Sequence, residues 1–398
     1  MDQLFKKVTE KIDREYVVNL LKELIEIPSA NPPGDVSRIS RRVEKEMRDI
    51  GITDIEIVEP VEGRRNVIGR IGNGNGPTIT LYAHLDVVPV REEEEKEWRT
   101  PPLKGTIVDG KMYGRGAADT KSGLAAMLAA ARALVETGAE IPGRVVFLAA
   151  ADGETGDIWG IKYLEEKGLI GGDMVIACEP SGFQIIRLFK GRIWFEVSVK
   201  GKAVHASVPE QGVNAIIKMV KVVDALNNAK HTFVPHDILG DSTIAFSTIQ
   251  GGSVPNAVAG HCKATFDVRL VPGQTVEGVK SELQAVLDRL KKEDPELEVT
   301  LDILPGAGRE VCETPLDAKI VRHVQEAFKY VMGTDAPFGA GIESPGAVYH
   351  FNRLGAQGVF FGPGAIWEAH LPNEFVILDR LYNMAKMYAV TILKATKA

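Results

Sequence analysis

The sequence runs to 398 residues, longer than one hydrophobic core usually serves, and its 44% hydrophobic and 25% charged residues exclude a disordered or fibrous chain. A formal net charge of -7 with dispersed lysines and arginines excludes the basic footprint of a nucleic-acid-binding protein. No apolar run reaches the roughly 18 residues of a membrane span, the charge-rich N-terminal segment lacks a secretory core, and Cys178, Cys262 and Cys312 read as reduced buried thiols; the expectation is a cytoplasmic protein of two domains with no membrane partner.

Along the chain, Tyr16 to Ile27 carries apolar residues at helical spacing and is stopped by Ser29-Ala-Asn-Pro-Pro-Gly34, after which a second amphipathic helix is expected. Short β-rich runs follow at 54–58, 66–71 and 78–82, with Gly72-Asn-Gly-Asn-Gly76 read as a hairpin turn between the last two. That glycine run lacks the spacing and following helix of a dinucleotide fingerprint. The acidic cluster Glu92 to Glu97 reads as a solvated loop. Lys121 to Val135 predicts a buried helix, and the near-continuous apolar strands 143–150 and 174–178 suit a mostly parallel sheet covered by helices. From about Phe189 the pattern changes to alternating strands at 193–199, 242–249 and 261–270 with helices at 214–226 and 275–292, a compact α+β insertion. A helix at 316–331 and a strand at 358–361 then return to the first core, so the α/β catalytic domain is expected to be discontinuous, 1–188 plus 304–398, around an insertion at 189–303.

The chemistry gathers where strands end, the edge at which open α/β sheets place their sites. His84-Leu-Asp86 closes the strand from Thr78, and residues two apart on a strand share a side, so Asp86 can orient the His84 ring for a metal. Taken alone the pair reads equally as a core histidine beside a turn acid. Asp119, in Gly114-Arg-Gly-Ala-Ala-Asp119, could bridge two cations or merely cap the helix that follows. Glu154 and Glu179 follow the next two strands, and His370 lies in the loop after 358–361. Two imidazoles with three carboxylates form a mixed nitrogen and oxygen donor set suited to zinc or cobalt.

These motifs, with His205 in Gly-Lys-Ala-Val-His-Ala-Ser-Val-Pro and Ala-His370-Leu-Pro-Asn-Glu374, stand in the order found in the metallopeptidase family of acetylornithine deacetylase, succinyl-diaminopimelate desuccinylase, aminoacylase and glutamate carboxypeptidase, which the chain resembles over nearly its whole length. The resemblance implies two zinc ions, or cobalt, with Asp119 between them, His84 and Glu179 on one, and Glu154 and His370 on the other. It makes Asp86 the orienting residue and the insertion a ferredoxin-like lid that pairs two subunits into a homodimer. His205 would then stabilise the oxyanion in a neighbouring subunit's site, and Asn256 and Arg269 would bind the substrate's carboxylate or carbonyl. The same resemblance implies hydrolysis of an N-acyl amino acid such as N-acetylornithine or N-succinyl-diaminopimelate, a step of amino-acid biosynthesis, with a dipeptidase or carboxypeptidase activity on short peptides as the alternative.

One position departs. Asp152-Gly153-Glu154 puts Gly153 where the family's general base, a glutamate, is expected; general acid–base catalysis contributes typically ~10²- to 10⁴-fold. Asp152 and Glu343, the latter in the pocket-lining segment Gly341-Ile-Glu-Ser-Pro-Gly346, are the candidate substitutes. The gap opens a reading of another class, a zinc-containing protein that binds an amino-acid derivative without turnover.

Overall fold

The computed structural model describes residues 2–229, 233–341 and 346–397. The chain divides into two compact units, the larger from 1–187, 314–339 and 346–398 and the smaller from 188–313 and 340–345.

The larger unit is the expected α/β layer structure. Six neighbouring strands of its sheet run, in spatial order, Asp54–Val58, Asn66–Ile71, Arg144–Ala150, Thr78–His84, Met174–Ala177 and Gln357–Phe360. The last four strands are mutually parallel, with Ala83 beside Ala149, Leu81 beside Ile176 and Val359 beside Ile176. Valine, isoleucine, leucine and alanine fill these strands because helices cover both faces and leave no side for water. The helix Lys121–Glu136 lies at the centre and is buried over almost its whole length. Its alanines hold side-chain bulk low, so the helices Arg14–Glu26 and Leu378–Ala395 pack closely on it. Asp13 caps the first of these by accepting from the main-chain N–H groups of Glu15 and Tyr16.

Two sequence expectations need correction here. The Gly72 to Gly76 turn does not join a hairpin, because strand Arg144–Ala150 lies between Asn66–Ile71 and Thr78–His84, antiparallel to one and parallel to the other. Turn residues report that the chain reverses, not that the flanking strands pair. The acidic cluster is not a plain solvated loop either: Glu92–Glu95 forms one helical turn, and Glu94 is buried, taking a bond of 2.9 Å from Arg91 Nε.

The smaller unit has the order strand, helix, strand, strand, helix, strand. Its antiparallel sheet runs Thr243–Gly251, His261–Leu270, Gly191–Lys200, Glu298–Ile303, the ferredoxin-like arrangement. Alternate residues Ile193, Phe195, Val197 and Val199 of strand Gly191–Lys200 meet Ala264, Phe266 and Val268 and the apolar stripes of helices Ala215–Asn227 and Val276–Glu293 in one core.

Candidate metal centre

The four parallel strands point their C-terminal ends to one edge of the larger sheet. His84 ends one strand, the turn Gly153–Thr155 follows the second, Glu179 follows the third, and the loop after Phe360 brings His370. Asp119 comes from the loop that opens the central helix. These loops touch main chain to main chain. A Cβ on Gly123 would lie 2.1 Å from the carbonyl oxygen of Cys178, and one on Gly364 would lie 2.3 Å from that of Ala118, so only glycine lets the three loops meet.

At that junction the two oxygens of Asp119 separate. Oδ1 lies 3.0 Å from Nε2 of His84, and Oδ2 lies 3.2 Å from Nε2 of His370. Glu179 Oε2 is 3.6 Å from the His84 nitrogen, and Glu154 Oε2 is 3.1 Å from the His370 nitrogen. One ligand atom each from His84, Asp119 and Glu154 lies within 4.8 Å of the others. Donor atoms around a cation at roughly 2.0–2.2 Å stand about 3 Å apart, so this donor set fits two sites sharing one carboxylate. Asp119 is not the cap of the following helix: the residue preceding Lys121–Glu136 is Thr120, and its side chain makes no capping bond.

Electrostatics agree with a cation-binding cluster. Burial opposes charge on His84, yet Glu179 and Asp119 hold its pKa well above the usual histidine value. Hydrogen bonds to Asp119 and Glu154 raise that of His370 to about 10. Burial, followed by the Asp119 charge, pushes Glu154 up, while burial lifts Glu179 to about 7. Burial would raise Asp119 too, but the two imidazoles pull it far below the ordinary range. Each imidazole thus faces carboxylate oxygens where divalent ions would act.

The expected orienting pair is built differently from the sequence reading. His84 Nδ1 faces the main-chain oxygen of Asp86 at 2.9 Å, whereas the Asp86 carboxylate stands 3.6 Å away. That carboxylate instead accepts from the N–H groups of Gly153 and Glu154, at 2.9 and 3.1 Å, and so fixes the turn that carries Glu154. Asn31 Nδ2 ties this system together, lying 2.8 Å from Asp86 Oδ2, 2.9 Å from Asp152 Oδ1 and 2.8 Å from Thr155 Oγ1. On the other side, Glu374 accepts from the N–H groups of Ala118 and Asp119 and pairs with Arg115 at 2.6 Å, all buried. Sequence reasoning passed over Asn31, Arg115 and Glu374 as functional residues. Their signal was a polar residue inside each motif with no solvent role, which becomes legible only once its partner from another motif is known.

Gly153 has a neighbour that its sequence position does not announce. A Cβ there would lie 2.4 Å from Cγ and 2.6 Å from Cδ2 of His84, so the turn as folded closes position 153 to any side chain unless the ring or the turn shifts. Asp152, one candidate substitute base, is 3% exposed and engaged by Asn31, Thr155 Oγ1 at 2.7 Å and the Trp159 N–H. Glu343, the other, falls outside the described residues.

The remaining expected residues belong to the smaller unit. His205 is exposed, its Nδ1 held by Ser207 Oγ at 2.7 Å, and it bridges to Ala257. Asn256 is exposed beside it, its carbonyl accepting from the Ala206 N–H. Arg269, near the end of strand His261–Leu270, binds Asp267 through Nε at 2.7 Å, and its buried Nη1 has no hydrogen-bond partner among the described residues.

An α/β sheet edge carrying imidazoles and carboxylates that share one central aspartate is the scaffold of a metal-dependent hydrolase. Residues 80–394 match the peptidase family M20/M25/M40, and the chain belongs to that family. It is 30% identical to an acetylornithine deacetylase of Myxococcus xanthus, covering 89% of this chain and 88% of that protein. Among solved structures it resembles a di-peptidase of Saccharomyces cerevisiae, with a TM-score of 0.80 at 17% identity over the whole of both chains. It also resembles a dinuclear metal-binding peptidase of Bacillus subtilis, with a TM-score of 0.71 at 18% identity over 96% of this chain and 97% of that one.

Proposed function

We propose that this chain hydrolyses the amide bond of an N-acyl amino acid at a centre of two zinc or cobalt ions, with His84 and Glu179 on one, Glu154 and His370 on the other, and Asp119 between. The observation that carries the reading is the division of the Asp119 oxygens between two imidazoles. Two divalent ions bound there would polarise the amide carbonyl and activate water.

The chain's own groups hold and expose this site. Asp86, Asn31 and Glu374 fix the loops from behind, and His370, with 44% of its side chain exposed, leaves the solvent side open for substrate. We further propose that residues 189–303 act as a lid and pairing surface, with His205 serving the oxyanion and Asn256 and Arg269 the substrate's polar groups. Supporting the pairing, strand Thr243–Gly251 is an outer strand of its sheet, and Ile217, Val220 and Ile249 are more than half exposed. Free, buried Cys178, Cys262 and Cys312 suit a reducing compartment such as the cytoplasm, and among the described residues no helix is long and apolar enough to cross a membrane.

A second reading, binding without turnover, is favoured by one observation: position 153 has no side chain and no room for one, and Asp152 is fully engaged. Amine release from a panel of N-acyl amino acids and dipeptides, with zinc and after chelation, tests both. Zinc-dependent release identifies the hydrolase and its preferred bond. Zinc-dependent binding by calorimetry with no product over long incubation supports the second reading, and neither binding nor release sinks both.

A further inference from the structure

Each of the two proposed ions takes one ligand from the pair His84 and Glu154 and one from the pair Glu179 and His370, and a tie crosses each pair. The first tie is Asp86. Its main-chain oxygen faces His84 Nδ1 at 2.9 Å and its carboxylate accepts from the Glu154 N–H at 3.1 Å, so one residue steadies a ligand of each ion. The second lies outside the motifs read from the sequence. Strands Met174–Ala177 and Gln357–Phe360 stay paired until the Phe361 N–H meets the Ala177 carbonyl at 3.0 Å, and beyond that bond the chains part for Glu179 and His370. Ser181 rejoins them: its Oγ accepts from the Gly362 N–H at 3.0 Å and donates to the Gly362 carbonyl at 3.1 Å.

The two loops rest main chain on main chain at this point. A Cβ on Gly362 would lie 2.4 Å from the carbonyl oxygen of Glu179 and 2.7 Å from that of Cys178, and the Gly182 N–H bonds the Gly364 carbonyl at 2.8 Å. Ser181 is 3% exposed, and its hydroxyl is engaged as both donor and acceptor by one glycine. Removing that hydroxyl strips the buried Gly362 N–H and carbonyl of the partner they share. The loop with more freedom to respond is that of His370, whose side chain is 44% exposed, because His84 ends a central strand and Glu179 follows another by two residues.

We infer that Ser181 is a positioning residue that sets the spacing of the two ions, by fastening the loop of Glu179, a ligand of one, to the loop of His370, a ligand of the other. This rests on the proposed two-ion centre. Groups that hold metal ligands from behind typically change metal affinity by ~10- to 100-fold when removed. Here the loss falls on the ion of Glu154 and His370, while the ion of His84 and Glu179 keeps both its ligands on the central strands.

The test is the stepwise zinc affinity of the full chain, measured by competition with a chromophoric chelator, beside the Tm of the metal-free protein. The unaltered chain is expected to take two ions. Ser181→Ala should keep the first within about threefold and bind the second roughly ten- to a hundredfold more weakly, whereas Ser181→Thr, which retains the hydroxyl, should hold both within about threefold. Val43→Ala, a truncation of a fully buried side chain in helix Ser37–Ile50, supplies the comparison for stability alone: its Tm should fall with both affinities unchanged. If Ser181→Ala does not fold, threonine and valine at 181, which have the same shape and differ in the hydroxyl, carry the same comparison. A lower Tm with both affinities preserved, or an equal loss of both ions, overturns the positioning role while leaving the two-ion centre standing. An unaltered chain that takes one ion or none overturns the centre and the inference together.

Discussion

Gly153 and His84 are in such close approach that a methyl group on the glycine would stand 2.4 Å from the imidazole Cγ. Overpacking of this kind costs typically about 1–3 kcal/mol. Gly153→Ala is therefore expected to lower Tm and to weaken zinc uptake, both measured by thermal melts across a zinc titration. Unchanged values would mean that the turn relaxes freely, and a gain of turnover in Gly153→Glu would reveal a second conformation of residues 152–156.

Asn31 offers one amide nitrogen to two buried carboxylates and a hydroxyl. Replacing it by alanine leaves Asp86 and Asp152 short of a donor, a loss of about 1–3 kcal/mol for buried unsatisfied groups. Urea unfolding of Asn31→Ala should show it as a lower midpoint with unchanged slope. Asn31→Asp should fare worse, increasingly so as pH rises and a third negative charge forms among the other two.

The Arg115–Glu374 pair is buried on both sides, with side chains 2% and 0% exposed. Breaking one member of a buried pair costs about 3–5 kcal/mol because the other charge stays buried. Glu374→Ala should reach that range in chemical denaturation, and Glu374→Gln, which keeps acceptors for the Ala118 and Asp119 N–H groups, should lose less. Equal losses would mean that the charge, not the fastening of the Asp119 loop, carries the effect.

Lys121 is fully buried, its ammonium donating to the carbonyls of Leu24 and Ile27 at 2.9 Å each. Burial lowers its pKa from 10.5 to about 7. The unfolded chain then binds more protons than the folded one between those values, so this residue makes stability rise with pH from about 7 to 10.5 and contributes no slope below. Lys121→Met should flatten that rise in denaturation midpoints taken across the range; an unaltered pH profile would contradict it.

Much of this was legible in the sequence because periodicity and strand-end chemistry are local. The run Lys121 to Val135 announces a buried helix by its unbroken apolar content, and His84, Asp119, Glu154, Glu179 and His370 stand where strands and glycine-rich loops end. What local pattern does not carry is partnership across the chain. Gly72 to Gly76 looks like a hairpin because the strand that separates its flanks comes seventy residues later. The two-residue spacing puts Asp86 on the side of the His84 ring, yet its carboxylate bonds Gly153, Glu154 and Asn31. Glu94 looked solvated among its acidic neighbours until Arg91 and the buried Arg115 are seen beside it.

The larger unit is assembled from separated stretches of chain, and this sets an order in time. During synthesis the ribosome delivers His84, Asp119, Glu154 and Glu179 first, then the long stretch 188–313 of the smaller unit, and only afterwards the strand Gln357–Phe360 and His370 in the loop after it. The candidate ligands made by then are three carboxylates and a single imidazole, all of them ahead of the smaller unit in the chain. A nascent chain halted before residue 357 would own the acids of the proposed site but not the strand and histidine that complete it, so on that proposal competence for metal would arrive only with the last part of the chain.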